Sequence, residues 1–399
     1  MTDRRHEILY FADTRFPIER ANGAQTMATC HALARRGHQV TLVVRPDTQV
    51  PARDPFAFYD LPPEDGVRIR TVAAGGGHRA RRVRYMLASL AIARELNGAI
   101  VYTRDLGVAS FLLQLPSFRR PRVVYESHGI QTVVSAELPA LLGSGARPPG
   151  PLKLQRLERR ERRVWRRARA YVAITRALAE ELASRFGSRP HVFVAPDGAA
   201  QPRIDGAGSH SRSERPLAAY AGHLYPWKGV DVFVRALALA PGIDGLIVGG
   251  HPGEHDRARI ADLAASLGVT SRLTITGLLR PNAVAHALSA ASMLVLPNTR
   301  SAISERYTSP LKLFEYLWLG APIVASDLTA IREILTDGVT SLLVTPGDPA
   351  ALAAALERLA ADRALADRLG AAARDLAPSY TWAARAERVE AALDAATRA

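Results

Sequence analysis

Lysine is rare in this 399-residue chain: of 52 basic Lys and Arg side chains only Lys153, Lys228 and Lys312 are lysines. Two of the three stand in stretches with the marks of a ligand site. In "PNTRSAISERYTSPLKLFEYLWLGAPIVAS" (297–326) a strand ends, a loop runs to Thr308 and a helix begins. Ser309 is a fitting N-cap, and Pro310 suits the first helical position. The unpaired N–H groups of that first turn, with the positive end of the helix dipole, make a place for an anion. Lys312 adds a compact point charge beside it. Glu315, three residues on, is poorly suited to a phosphate and well suited to accept hydrogen bonds from ribose hydroxyls. The plainer alternative is that Lys312 and Glu315 merely pair with each other. In "YAGHLYPWKGVD" (220–231) a turn-rich loop leaves a strand and ends at Lys228, with Gly222 letting the backbone bend. An ammonium in both loops, in a chain that elsewhere chooses arginine, points to one nucleotide diphosphate. An ordinary surface role for Lys228 is the alternative.

These residues need a frame to position them, and the apolar pattern supplies one. "EILYFAD" (7–13) reads as a strand, followed by a loop through Asn22-Gly23, a helix over Ala24 to Gly37, and the strand "HQVTLVVR" (38–45). Further strands are expected at "AIVYTR" (99–104), "RVVYES" (122–127), "AYVAIT" (170–175) and "HVFVAP" (191–196). All are apolar on both faces, as buried parallel strands are. A polar, Gly/Ser/Pro-rich break (197–216) follows, and the linker is set at 201–215. A second series runs through "LAAYAG", "GLIVGG", "RLTITG", "MLVLPN", "PIVASD" and "SLLVTP", with helices between. The expected fold class is therefore α/β, with two doubly wound Rossmann-like domains and a cleft between them. The domains are 1–200 with the closing helix 380–399, and 216–379. Ligands bind at the carboxyl ends of such strands.

Composition narrows the rest. A single cysteine, Cys30, excludes a disulfide framework and fits a reducing compartment. No signal core opens the chain, and the longest apolar run, "YMLASLAIA" (85–93), is far short of the ~20 residues of a membrane span. A soluble cytoplasmic protein is expected. The net charge of +14 concentrates in two stretches, 78–95 and 153–170. Glu158 and Glu161 interleave with the arginines of the second at helical spacing. Neither stretch has the aromatics of a nucleic-acid reader. Both could rest on anionic lipid as a peripheral membrane contact. No Asp-x-Asp cluster is placed to hold a metal. Glu126 and Asp105, at strand ends, read as structural or acceptor-binding.

"GHLYPWKGVD", "IVGG", "ITGLLRPNAV" and "SPLKLFEYLWLGAPIVASD", in this order, resemble the donor half of the GT-B glycosyltransferases of family GT4. "NGAQTMATCHALARRGHQVTLV", "VAITRALAEEL" and "VAPDGA" resemble the acceptor half, and the last helix with Trp382 resembles the segment that crosses back onto it. The family is retaining, uses nucleotide sugars and needs no metal. The resemblance implies a hexosyltransferase that takes a UDP- or GDP-hexose, with a glycan or lipid-linked acceptor, no cofactor and no nucleic acid. It implies that Lys228 binds the donor diphosphate and stabilises the leaving group, and that Glu315 holds the ribose. Ser309, Pro310 and Leu311 would offer backbone amides to the phosphates beside Lys312. Gly222 and Gly249 would line the donor site, Leu279 would lie near the base, and Gly23 would approach the diphosphate from the other domain. His128, in "YESHG", would face the transferred sugar.

Two positions depart from the family. Tyr307 stands where the first motif glutamate is usual, with Glu305 nearby but out of register, and His223 stands in place of an arginine. Both changes bear on contacts to the sugar. No residue stands out as a carboxylate nucleophile, and the resemblance implies front-side displacement. A nucleotide-sugar epimerase, a silent nucleotide-sugar-binding protein and a nucleic-acid binder are the competing readings.

Overall fold

Runs of Val, Ile, Leu, Ala and Tyr that are apolar at every position can be buried on both faces only in a parallel sheet covered by helices on each side. The computed structural model, which describes residues 5–73, 75–142, 147–202, 215–251 and 255–398, contains two such sheets. Most of the expected linker, 203–214, lies outside the described residues.

The first sheet comprises β1 (Glu7–Arg15), β2 (Gln39–Arg45), β3 (Val67–Thr71), β4 (Ile100–Thr103), β5 (Arg122–Ser127), β6 (Ala170–Ala173) and β7 (Val192–Val194). Their order is β3-β2-β1-β4-β5-β6-β7, all parallel. The second comprises β8 (Leu217–Ala221), β9 (Asp244–Val248), β10 (Leu273–Gly277), β11 (Met293–Leu296), β12 (Ile323–Ser326) and β13 (Leu342–Val344). Its order is β10-β9-β8-β11-β12-β13, also all parallel. In both sheets the winding direction reverses beside the first strand, at β1/β4 and at β8/β11. That is the point where ligands bind in open α/β sheets.

The chain divides into two units. One holds Met1–Thr132, Pro149–Asp197 and Trp382–Ala399; the other holds Val133–Pro148 and Gly198–Thr381. In the first, Ile8, Tyr10, Leu42, Ile100 and Val124 pack with Ala386, Val389 and Leu393 of the last helix, Trp382–Arg398. In the second, Tyr220, Ile247, Val295 and Val324 face one helical layer. Their alternate neighbours Ala219, Val248, Leu294 and Ile323 face the other, with Phe314 and Leu317. Each such aliphatic side chain contributes roughly 1.5–3 kcal/mol on burial.

Three expectations are corrected. β3, "VRIRT", was not anticipated from the sequence: it is an edge strand, and its charged alternate residues are exposed. The helix after β1 spans Ala21–Ala34, so Asn22-Gly23 lies in its first turn rather than in a loop. Ser309 does not cap the next-domain helix: that helix is Leu311–Leu319, Pro310 takes the N-cap place with ψ 117°, and no side chain caps it.

Candidate functional site

The loops that leave β8 and β11, neighbours at the reversal point of the second sheet, interlock. Trp227 O accepts from Thr299 N at 3.1 Å. Gly229, left-handed at φ +69°, lies so near that a Cβ there would stand 1.8 Å from Pro297 O. Tyr316, on the Leu311–Leu319 helix, accepts from Ala221 N at 2.8 Å and donates to Val295 O at 3.4 Å. One phenol thus ties the helix to the ends of both strands. The tie places Lys312 against Gly222, where a Cβ would come within 2.8 Å of the ammonium nitrogen. Glycine is needed there twice over, for this approach and for φ +129°. Gly249 is held the same way: its Cβ would stand 1.9 Å from Gly222 O.

Among the described residues neither ammonium group has a counter-ion. Lys312 Nζ is buried, lies 3.7 Å over the Tyr220 ring, and has no hydrogen-bond partner among the described residues. Lys228 Nζ lies 3.6 Å over the Trp227 ring. Burial pushes the Lys228 ammonium down to about 7. Burial, and then the Lys228 charge, hold Lys312 well below the usual lysine range, with Glu315 pulling the other way. Lys312 and Glu315 form no ion pair, so the plainer reading of their spacing fails. Burial raises the Glu315 carboxyl and Lys312 lowers it, while water at its exposed face screens both effects. Two unpaired cations sense each other beside a helix end with no side-chain cap. The arrangement is costly empty and favourable around a dianion.

The other sequence-derived residues of this unit fall around that point. Ser309 is buried one step before Pro310. His223 stacks on Tyr225, ring centroids 4.9 Å apart, and its carbonyl accepts from Tyr220 Oη at 2.6 Å. Leu279 is half-buried just beyond β10 against the helical layer. Tyr307 is buried after the short helix Ala302–Arg306. Glu305 does not stand in for an acid there, since Thr329 and Arg300 occupy it.

In the first unit the hub is Glu126. It is fully buried at the end of β5 and accepts from Gln25 Nε2 at 2.8 Å, from Arg385 at 2.7 Å, and from Tyr102 and His128. Burial opposes its charge, but Arg385 and His128 overcome this and hold the carboxyl well below its usual range. Beside an ionised carboxylate the His128 Nε2 must carry the proton. Burial and then Arg104 lower the His128 pKa, against the pull of Glu126. Glu126 therefore positions His128. Gly23 has a local reason to lack a Cβ, which would collide with Ile18 and Tyr59. Asp105 caps the helix Leu106–Leu112 and pairs with Arg82, which also binds Asp13.

Sequence reading missed Arg385 and Arg104. Arg385 is one arginine among many in a helix otherwise read for its apolar face, yet it is fully buried between Glu126, Thr29 and the carbonyl of Pro196. An arginine in line with inward-facing alanines was the available signal.

Two all-parallel, doubly wound units, one with a cation pair at its reversal point, define the GT-B architecture. Family comparisons agree: the "Glycosyl transferases group 1" model matches residues 215–362, and the "Glycosyl transferase 4-like domain" model matches 22–198. The chain belongs to the GT4 family of GT-B glycosyltransferases. A D-inositol 3-phosphate glycosyltransferase of Nocardia farcinica is 30% identical over 284 residues, which make up 67% of this chain and 60% of that protein. Sucrose-phosphate synthase of Thermosynechococcus elongatus shares the fold with TM-score 0.77 at 21% identity, over 97% of this chain and 98% of its own. Anabaena HepE in complex with UDP-glucose does so with TM-score 0.74 at 17% identity, over 97% and 99%. Among the described residues no helix is long and apolar enough to cross a membrane, and no group of three or more His, Cys, Asp or Glu is arranged to hold a metal ion.

Proposed function

We propose that the chain is a retaining hexosyltransferase that takes a UDP- or GDP-linked sugar and delivers the sugar to a phosphate-bearing acceptor. One observation carries the donor half of this reading. Among the described residues Lys312 Nζ, which is buried, has no hydrogen-bond partner; it stands at a helix amino end that no side chain caps, within reach of the Lys228 charge. A diphosphate supplies what that place lacks. When the anomeric C–O bond breaks, the departing phosphate oxygen gains charge. Two fixed ammonium groups and free helix amides stabilise that charge without reorganising. In front-side displacement the acceptor hydroxyl attacks from the same face and its proton passes to the leaving phosphate oxygen. Glu315 takes the ribose, and His128, held by Glu126, contacts the sugar. Charge neutralisation by the lysines makes a metal unnecessary.

The acceptor reading has two supports. The Nocardia farcinica relative is named for inositol 3-phosphate. Arg160 in the first unit is half-buried with no hydrogen-bond or ion-pair partner among the described residues, and burial, then Arg156 and Arg82 nearby, lower its pKa against the pull of Asp105. An anionic acceptor would relieve that crowding. On the helix His78–Glu95, Val83 and Leu87 are 55% and 57% exposed beside arginines, which suits a peripheral contact with anionic lipid.

Incubation with UDP-glucose or a GDP-hexose and inositol phosphate, with the product's anomeric configuration read by NMR, tests the proposal. Retained configuration, insensitivity to EDTA, and a kcat lowered about 10²–10³-fold by Lys228→Ala are expected. Arg160→Ala should raise the acceptor KM and spare donor affinity. Transfer that survives loss of both lysines would overturn the reading.

A further inference from the structure

The first unit carries a second basic site, at the other end of its sheet. A pocket of about 480 Å³ is lined by Arg120, Arg122, Arg166, Arg167, Arg169 and Arg189, with no Asp or Glu in its wall. It lies at the amino ends of β5, β6 and β7, where Arg122 opens β5 and Ala168-Arg169 and His191 precede the next two strands. His128 follows the carboxyl end of the same strand β5. Six residues of strand, about 20 Å, separate the two places.

The guanidinium groups are held in position, but not by carboxylates. Arg120 donates to Leu115 O at 3.0 Å, Arg167 to Leu113 O at 3.1 Å and Arg189 to Ala168 O at 2.6 Å. Arg122 makes only a 3.5 Å contact to Gly98 O, and Arg166 projects into solvent from the last turn of its helix. Among the described residues none of these five pairs with an acid. Backbone carbonyls orient a guanidinium without cancelling its charge, so the pocket keeps a concentrated positive field. The last turn of a helix favours basic residues, which accounts for Arg166 and Arg167. It does not account for the convergence of Arg120, Arg122 and Arg189 from three other segments. Burial lowers Arg189 to about 10, so the cluster costs something to assemble.

We propose that this pocket is a phosphate-binding site separate from the donor and acceptor sites, taking a phosphate group that carries two or more negative charges or sits among other anions. Guanidinium forks match phosphate oxygens in pairs. The phosphate is either free or part of an anionic lipid headgroup. Phe118, 80% exposed next to the lining Ser117, gives the second source a place to touch a bilayer.

The test uses the full chain carrying Lys312→Ala, so that the donor site does not compete for the probe. One arm titrates inorganic pyrophosphate by calorimetry. The other measures co-sedimentation with vesicles of phosphatidylcholine and phosphatidylglycerol in equal parts. Each is repeated with R122Q/R166Q added, two side chains that hold little of the fold. Each lost fork should weaken binding about tenfold. Pyrophosphate binding that R122Q/R166Q lowers about a hundredfold assigns a free phosphate. Vesicle binding that the same changes weaken at least tenfold, the His78–Glu95 lipid contact being left in place, without pyrophosphate binding, assigns the headgroup. No binding in either arm, or binding that R122Q/R166Q leaves unchanged, overturns the proposal.

Discussion

Raising the pH from 7 to 9 should strip the nucleotide site of its charge. With the Lys228 ammonium titrating at about 7, about half the molecules carry the charge at pH 7, about a tenth at pH 8 and about a hundredth at pH 9. If the diphosphate binds only the charged form, apparent affinity scales with that fraction. Affinity for UDP should then fall about fiftyfold over the two pH units, or roughly 2.3 kcal/mol. Below pH 6 the Lys228 contribution levels off because it is already charged. Isothermal titration in buffers of different ionisation heat should show proton uptake rising from about half a proton at pH 7 towards one at pH 8, since bound phosphate draws the proton onto the amine. Lys228→Arg, permanently charged, should flatten this part of the profile. Affinity constant within twofold from pH 7 to 9, with no proton uptake, would refute the reasoning.

Other perturbations read other parts of the account. Lys228→Met should stabilise the free protein: a lysine whose folded pKa is depressed costs stability at every pH below its unfolded value, fully so below about 7. The drop from 10.5 to about 7 sets a ceiling near ~5 kcal/mol for that gain. The melting temperature at pH 6 should rise, and the gain should shrink from about pH 7 upward and vanish above about 10.5; a fall at pH 6 would count against an unpaired cation. Glu126→Gln leaves buried Arg385 with only the more distant Asp197 carboxylate, 3.7 Å away, and should cost about 3 kcal/mol in urea unfolding. A loss under ~1 kcal/mol would show that the hub is solvated. Gly249→Ala drives a Cβ into Gly222 O, and should weaken UDP binding more than tenfold with a loss of stability. Unchanged UDP binding would separate this turn from the site.

The parallel strands were legible because burial on both faces leaves no polar alternation: β4, β6, β11 and β12 are buried throughout. β3 escaped because an edge strand shows one face to water, and Arg68 and Arg70 hid the signal of Val67 and Ile69. The lysine pair was legible through rarity: in an arginine-rich chain an ammonium is an exception that asks for a reason. What the sequence could not reveal depended on tertiary contact. Nothing local marks Arg385 as the partner of Glu126, 259 residues away. The helix register at Ser309 and Pro310 slipped by one because two good cap signals stood side by side, and proline's extended backbone decided the matter.

The central claim is that both ammonium groups grip one diphosphate. Calorimetric affinities of UDP and of uridine for the wild type, Lys228→Ala, Lys312→Ala and the double variant test it most directly. The account predicts at least a tenfold loss for UDP in each single variant, a double loss smaller than the sum of the two in free energy, and uridine unchanged throughout. Equal weakening of UDP and uridine, or UDP binding indifferent to either lysine, would contradict it.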